Sequence, residues 1–398
     1  MNIPCLQDLK ITDKCILVRV DFNVPMDASG NITDDTRIKE ALPTIHYILE
    51  QGGSIVLMSH LGRPKGKVDP AFSLQPVAQH LGKLLNKPIL FAQDCVGSKT
   101  AKQAKELKRG EILLLENLRF YAAEENPDLD KAFAQKLAHL GELYVNDAFG
   151  AAHRVHSSTV VITQYFPGKK AAGLLMQKEI NFLSKLIQEP KRPFYAIIGG
   201  SKISSKIGIL KSLLSKVDSL FIGGGMAFTF FKAQGIEIGD SIFEEKSIAT
   251  AKEFFQLCEE KNVTIFLPID LIIADAFKEN ANTKIIPSKM GIPPGWQGMD
   301  IGPETRKHWE KELKNGAMIF WNGPLGVFEF PSFAGGTHEI AKVVADLKAL
   351  TILGGGETVS AINALGLSNK FSHISTGGGA SLEFLEFGEL PGINALFK

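Results

Sequence analysis

Cysteine is scarce and scattered: the four in this 398-residue chain, Cys5, Cys15, Cys95 and Cys258, include no CxxC pair. That excludes a disulfide framework and a cysteine-based zinc site, and it fits reduced thiols in a cytosol. Net charge is nearly absent, because 44 Lys and Arg face 43 Asp and Glu for a formal +1. A dedicated nucleic-acid binder carries a far stronger field, so no nucleic-acid partner is expected and any anion site must be a local cluster. No uncharged apolar run reaches 18 residues, and the start Met1-Asn2-Ile3-Pro4-Cys5 lacks a basic stretch followed by an apolar one. Neither a membrane-bound nor a secreted protein is expected; a cytoplasmic one is. Also missing are GxxxxGK followed by Ser or Thr anywhere, and GxGxxG at the glycine clusters. Their absence counts against P-loop enzymes and NAD-dependent oxidoreductases.

What is present is ordinary globular composition, 44% hydrophobic and 22% charged, in a length that predicts two domains. Short apolar runs at 15–20, 54–58, 88–91, 112–115, 143–145, 194–198, 219–222, 264–267, 317–321, 350–353 and 372–374 read as buried strands. Between them, apolar residues recur three or four apart, as in Leu74, Val77, Leu81 and Leu84 or Ile340, Val343 and Leu347, the spacing of amphipathic helices. Strand and helix in alternation predict an α/β fold of doubly wound parallel sheets, with functional residues beyond the carboxyl ends of the strands. Turn-rich stretches at 165–170 and 188–193 bracket one helical segment over 176–187. The expected layout is a lobe over 1–172, a connecting hinge helix over 173–190 and a second lobe over 191–398.

In the first half, polar and basic residues follow the predicted strands: Asp21 and Asn23, Arg37, His60 and Arg63, Arg119, and His153, Arg154 and His156. Singly, each arginine could be a solvated surface residue. Jointly they predict a basic floor, and several guanidinium forks suit a small phosphorylated acid. The histidines have no further ligand at metal-site spacing, and His153 reads equally as an interior histidine. In the second half, glycine clusters at 199–200, 223–225, 354–356 and 377–379 follow strands. Each is a tight packing turn or a place where backbone amides approach a phosphate at a helix N-terminus. Lys202 and Lys206, four residues apart, are expected on one helical face at the mouth of the first turn, where they are either solvated or neutralise a polyphosphate.

The segments RVDFNVP, SHLGRP, ENLRF, DAFGAAHRVH, GGSKISSKI, GGGMAF, DIGPET, WNGPLGVFE and STGGGASLEFL, in order between Cys15 and Gly392, together resemble phosphoglycerate kinases. The resemblance implies two Rossmann-like lobes around a hinge, with the last residues returning toward the first lobe. It implies reversible phosphoryl transfer between ATP and 3-phosphoglycerate, giving ADP and 1,3-bisphosphoglycerate, with Mg²⁺ on the nucleotide, in a monomer. By resemblance, Asp21, Phe22, Asn23, His60, Leu61, Gly62, Arg63, Arg119 and Arg154 bind phosphoglycerate and Arg37 faces its carboxylate. Likewise Lys206, Gly223, Gly224, Asn322, Leu325, Glu329, Gly354, Gly355, Gly356, Glu357 and Thr358 surround the nucleotide. Lys202, with Gly356 and Gly378, attends the transferring phosphoryl group, and Glu357 is the residue by the metal. With acceptor and donor on different lobes, the lobes must approach one another, and closure also excludes water.

The family usually has aspartate where this chain has Glu357, and Ser201, Ser204-Ser205 and Glu386-Phe387-Gly388 also depart from its pattern. Glu357 motivates a second expectation, a noncatalytic phosphoglycerate- or nucleotide-binding protein of the same fold.

Overall fold

All eleven apolar runs form strands, each flanked by helix or turn. A computed structural model describes residues 3–188 and 190–397, which divide into two units. One runs to Asn181 and includes the residues from Glu389 onward; the other is Phe182–Gly388. The helix Leu174–Gln188 carries the chain from the first to the second.

The first unit holds β1 (Cys15–Arg19), β2 (Ser54–Met58), β3 (Leu90–Phe91), β4 (Ile112–Leu114), β5 (Leu143–Asn146) and β6 (Lys170–Ala172) in a parallel sheet of order β3-β4-β2-β1-β5-β6. Alternate residues Ile16 and Val18, Ile55 and Leu57, and Ile112 and Leu114 turn to one face. There they join Ile38, Ala41, Ile45 and Ile48 of helix Thr36–Glu50 and Val77, Ala78 and Leu81 of helix Gln75–Leu85 in one buried core.

The second unit holds β7 (Phe194–Ile198), β8 (Ser219–Ile222), β9 (Thr264–Phe266), β10 (Asp270–Ala274), β11 (Thr283–Pro287), β12 (Gln297–Ile301), β13 (Met318–Asn322), β14 (Leu350–Gly354) and β15 (His373–Ile374). Six form a second parallel sheet, β15-β14-β13-β7-β8-β9, around a core containing Trp309, Trp321, Phe221, Ile319 and Ile340. The other three form an antiparallel sheet, β11-β10-β12. Neither β6 nor this small sheet is among the expected strands. Because the large sheets are parallel, the residues after β1, β2, β4 and β5 lie along one sheet edge, and so do those after β7, β8, β13 and β14.

Candidate active site

In the first unit, hydrogen bonds and ion pairs join the strand-end residues into two linked arrays. In one, Arg37 pairs with Asp21 at 2.9 Å, Asp21 Oδ1 lies 3.8 Å from His60 Nδ1, and Arg19 Nη2 donates to that same nitrogen at 3.1 Å. Since a guanidinium can only donate, His60 accepts at Nδ1 and carries its proton on Nε2. Burial and the neighbouring arginine charges hold His60 well below the usual histidine range, against the pull of Asp21. Asp21 is also buried, which alone would raise its pKa, but Arg37, His60 and Arg19 bring it below the ordinary aspartate value.

In the other array, Asn23 Oδ1 accepts from the Gly62 amide at 2.9 Å, and the Gly62 carbonyl accepts from Arg119 Nη1 at 2.8 Å. Arg119 then reaches Glu125 at 3.1 Å, and Arg154 lies 3.9 Å from the same carboxylate oxygen. Gly62 has φ +60°, and a Cβ there would come within 2.2 Å of the Phe72 ring, so only glycine fits the turn. Phe22 and Leu61 are buried beneath it. Arg63 is exposed and joins neither array. Arg119 Nε is buried without a hydrogen-bond partner, an unsatisfied donor in a region of converging cations. His153 accepts from Arg154 Nε at 3.1 Å. Among the described residues, no three His, Cys, Asp or Glu gather as a metal site.

Sequence reasoning missed the supports beneath these arrays. Arg19, fully buried, also donates to Ser158 Oγ at 2.8 Å and lies 3.7 Å from the fully buried Glu124. Asn117 bonds both the amide and the carbonyl of Leu61 and accepts from the Arg119 amide, fastening the Gly62 turn to the turn that carries Arg119. Both residues stand inside motifs quoted above, RVDFNVP and ENLRF, and a polar residue at a strand end was the available signal.

In the second unit, a cavity of about 270 Å³ is lined by apolar residues including Phe228, Leu271, Leu325 and Val327, with Gly224, Glu329 and Glu357 also on its walls. Beside it, Lys206 Nζ donates to the Gly199 carbonyl at 2.6 Å and to Asn322 Oδ1 at 2.7 Å. Burial lowers Lys206 to about 8, with the Glu357 charge opposing, so it remains a cation at pH 7. Asn322 Nδ2 is buried without a partner, and a Cβ on Gly355 would come within 2.9 Å of it. Thr358 Oγ1 accepts from the Gly323 amide at 2.7 Å. The expectation that Lys202 and Lys206 share a helical face is corrected: the helix starts at Ile207, with Lys206 as its N-cap. Ser204 and Ser205 instead spend their hydroxyls on Glu244 and on the Lys202 carbonyl, local bonds that compete with helix. Lys202 is exposed.

The glycine turns divide into two kinds. At Gly199–Gly200 and Gly223–Gly224 the amides donate to protein carbonyls, and a Cβ on Gly199 or Gly224 would strike neighbouring backbone within 2.0 or 2.6 Å; these are packing turns. At Gly356, Gly378 and Gly379 a Cβ would meet nothing within 4 Å. Helices Gly356–Ala364 and Gly379–Phe387 begin there, so the glycines at these two N-termini border open space, while the Ala380 amide already donates to the Gly377 carbonyl at 3.0 Å. One unit thus presents guanidinium forks and a buried histidine suited to a small phosphorylated acid. The other presents an apolar slot beside a cation and two open helix N-termini, which suit a nucleotide.

The sequence model of the phosphoglycerate kinase family matches residues 6–388. The phosphoglycerate kinase of Moorella thermoacetica is 51% identical over 391 residues, covering 98% of each chain. The cytosolic phosphoglycerate kinase 3 of Arabidopsis thaliana is 49% identical, covering 99% of this chain and 98% of that one. The structure of phosphoglycerate kinase from Coxiella burnetii superposes with a TM-score of 0.86 at 39% identity, covering 99% of this chain and 98% of that one. With the family model, the relatives and the superposed structure in agreement over nearly the whole length, the chain belongs to the phosphoglycerate kinase family.

Proposed function

We propose that the chain catalyses reversible transfer of a phosphoryl group between Mg–ATP and the carboxylate of 3-phosphoglycerate, giving ADP and 1,3-bisphosphoglycerate, as a cytoplasmic monomer without nucleic-acid or membrane partners. Residues 1–172 are the acceptor lobe, 173–190 the hinge, and 191–398 the nucleotide lobe apart from the last residues, from Glu389 onward, which return to the acceptor lobe. The observation that carries the reading is the pair of linked arrays converging on His60, Gly62, Arg119 and Arg154, a ready-made dianion site with one orphan donor. Arg63 adds an exposed fork from the surface, and Asp21 and Asn23 face the acceptor's hydroxyl.

A carboxylate acceptor is already ionised at pH 7, so no general base is required. Catalysis reduces to alignment and charge neutralisation on the moving phosphoryl oxygens. Arg37 neutralises the acceptor carboxylate, Lys202 meets the phosphoryl group, and the amides at Gly356 and Gly378–Gly379 complete the cradle. Leu325 and Gly223–Gly224 wall the base, Glu329 takes the ribose, and Lys206, Asn322, Gly354–Gly355 and Thr358 flank the phosphates.

Mg²⁺ enters with the nucleotide. It prefers phosphate oxygens, waters and one or two carboxylates, which matches a single exposed glutamate, Glu357, in the first turn of its helix. Because that side chain has no buried partner to break, Glu357→Asp should change turnover by less than about tenfold, equivalent to roughly 1.4 kcal/mol in the barrier. A larger gain would mark the extra methylene as a defect. Lys202→Ala should depress kcat far more than it weakens ATP binding, since its partner is the group in flight; an unchanged kcat removes it from the site.

The reading is tested by initial rates with ATP, Mg²⁺ and 3-phosphoglycerate, coupled to a dehydrogenase that consumes NADH. Turnover that needs all three components is the expected result. Binding of both substrates without turnover would leave a noncatalytic binding protein.

A further inference from the structure

We infer that Glu244 is a positioning residue for phosphoryl transfer, holding in place the loop that carries Lys202. The inference rests on the role given to Lys202 above. Residues 201–206 contain no helix and no strand, and Lys202 projects from them exposed, so its placement depends on what fixes the loop backbone.

Two anchors do so. Ile203, next to the lysine, is fully buried. One residue further, both carboxylate oxygens of Glu244 are used on Ser204: Oε2 accepts from the backbone amide at 2.8 Å and Oε1 from the hydroxyl at 2.5 Å. Glu244 is itself moored, because its amide donates to Thr229 Oγ1 at 3.1 Å and Thr229 is fully buried in helix Met226–Ala233. A chain of contacts therefore runs from the helix behind the Gly223–Gly225 turn, through one carboxylate, to the backbone two residues from Lys202.

Bonds to an ionised acceptor are about twice as strong as neutral ones, and only a carboxylate offers two acceptors to an amide and a hydroxyl together. Glutamine keeps only one acceptor oxygen and no charge, so the contact to the Ser204 hydroxyl must reverse direction and both bonds become neutral and weaker. The charge of Lys202 also helps to hold the Glu244 carboxyl below its ordinary range, together with the two bonds from Ser204 and against the effect of burial, which places the two residues within electrostatic reach. The Ser204 hydroxyl is half of the anchor.

Misplacing a group that acts only in the transition state lowers kcat and spares KM. The test is a cycle of steady-state rates on the full chain, with Glu244→Gln made alone and in the Lys202→Ala background. Expected is a loss of about five- to tenfold in kcat for Glu244→Gln, with the KM for Mg–ATP within about twofold. In the Lys202→Ala background the same change should cost less than about twofold. Equal losses in both backgrounds, or an undiminished kcat for Glu244→Gln while Lys202→Ala is impaired, overturn the positioning role and leave that of Lys202 standing. An unimpaired Lys202→Ala removes both. Should Glu244→Gln fail to fold, Ser204→Ala carries the same comparison: it deletes one bond and keeps the amide, with a loss of about threefold expected that vanishes without Lys202.

Discussion

Arg37→Ala is expected to abolish turnover, with kcat down by about 10³-fold or more, while the affinity for Mg–ATP stays within about twofold. The first half follows from chemistry: a carboxylate attacking a polyphosphate brings like charges together, and in the reading proposed above the Arg37 guanidinium offsets them from the acceptor side. Arg37 sits in the first turn of helix Thr36–Glu50, is about one-third exposed, and spends one nitrogen on Asp21, leaving donors for a ligand. The second half follows from position, since Arg37 belongs to the first unit and every residue lining the nucleotide cavity belongs to the second. Steady-state rates and calorimetric titration with Mg–ATP check the two halves separately. Loss of ATP affinity in parallel with kcat would contradict the partition. Arg37→Lys should recover only part of the rate, because an ammonium restores the charge without the planar fork.

The strands were legible because each buried strand of a parallel sheet is a continuous apolar run, and the strand ends were legible because polar residues interrupt those runs. Asp270–Ala274 is a buried apolar run of the same kind that was passed over; the other strands that escaped notice obey other rules. Lys170–Ala172 is short and sits in a turn-rich stretch that reads as a boundary. In the antiparallel sheet, Thr283–Pro287 is largely exposed and Gln297–Ile301 begins with Gln-Gly after a Pro-Pro-Gly turn, so neither has the apolar run that marks a buried strand; their pairing is set by partners about 9 to 30 residues away. At the site, the candidate residues were visible one at a time, but their supports were not. His60 depends on Arg19, the Gly62 turn on Asn117, and the Lys202 loop on Glu244, each from a segment remote in sequence, while Arg119 leans on nearby Asn117 and Glu125 through turns whose geometry the sequence does not display. Glycine was ambiguous for the same reason: whether a turn packs or stays open depends on what lies opposite, and Gly199 and Gly356 look alike until Pro324 is found against the first and nothing against the second.

The largest effect on stability is expected at Arg19, a residue that touches no substrate. Its guanidinium is fully buried and shared among Ser158, the Val20 carbonyl, His60 and Glu124. Arg19→Met fills much of the same volume but strands Glu124, and breaking a buried pair from one side costs about 3–5 kcal/mol. The deficit depends on pH. Burial already raises Glu124 above the ordinary glutamate value, with Arg19 the leading opposing charge, so losing Arg19 raises it further. A carboxyl whose folded pKa is raised contributes stability at low pH and forfeits it as pH rises through that value. The neighbouring histidines act in the same direction. Burial and the arginine charges put His60 well below its ordinary range and His156 at about 3, so wild-type stability is present above the ordinary histidine pKa and is lost as pH falls toward 3. Without Arg19 both histidines protonate more readily in the fold, and less is lost. Both effects make the Arg19→Met deficit larger at pH 8 than at pH 5, which urea unfolding at the two pH values measures. Glu124→Gln added to Arg19→Met should recover much of the loss at pH 8 and little at pH 5, because it removes the charge that was stranded; an equal deficit at both pH values would show that packing, not the unpaired carboxylate, is what Arg19 protects.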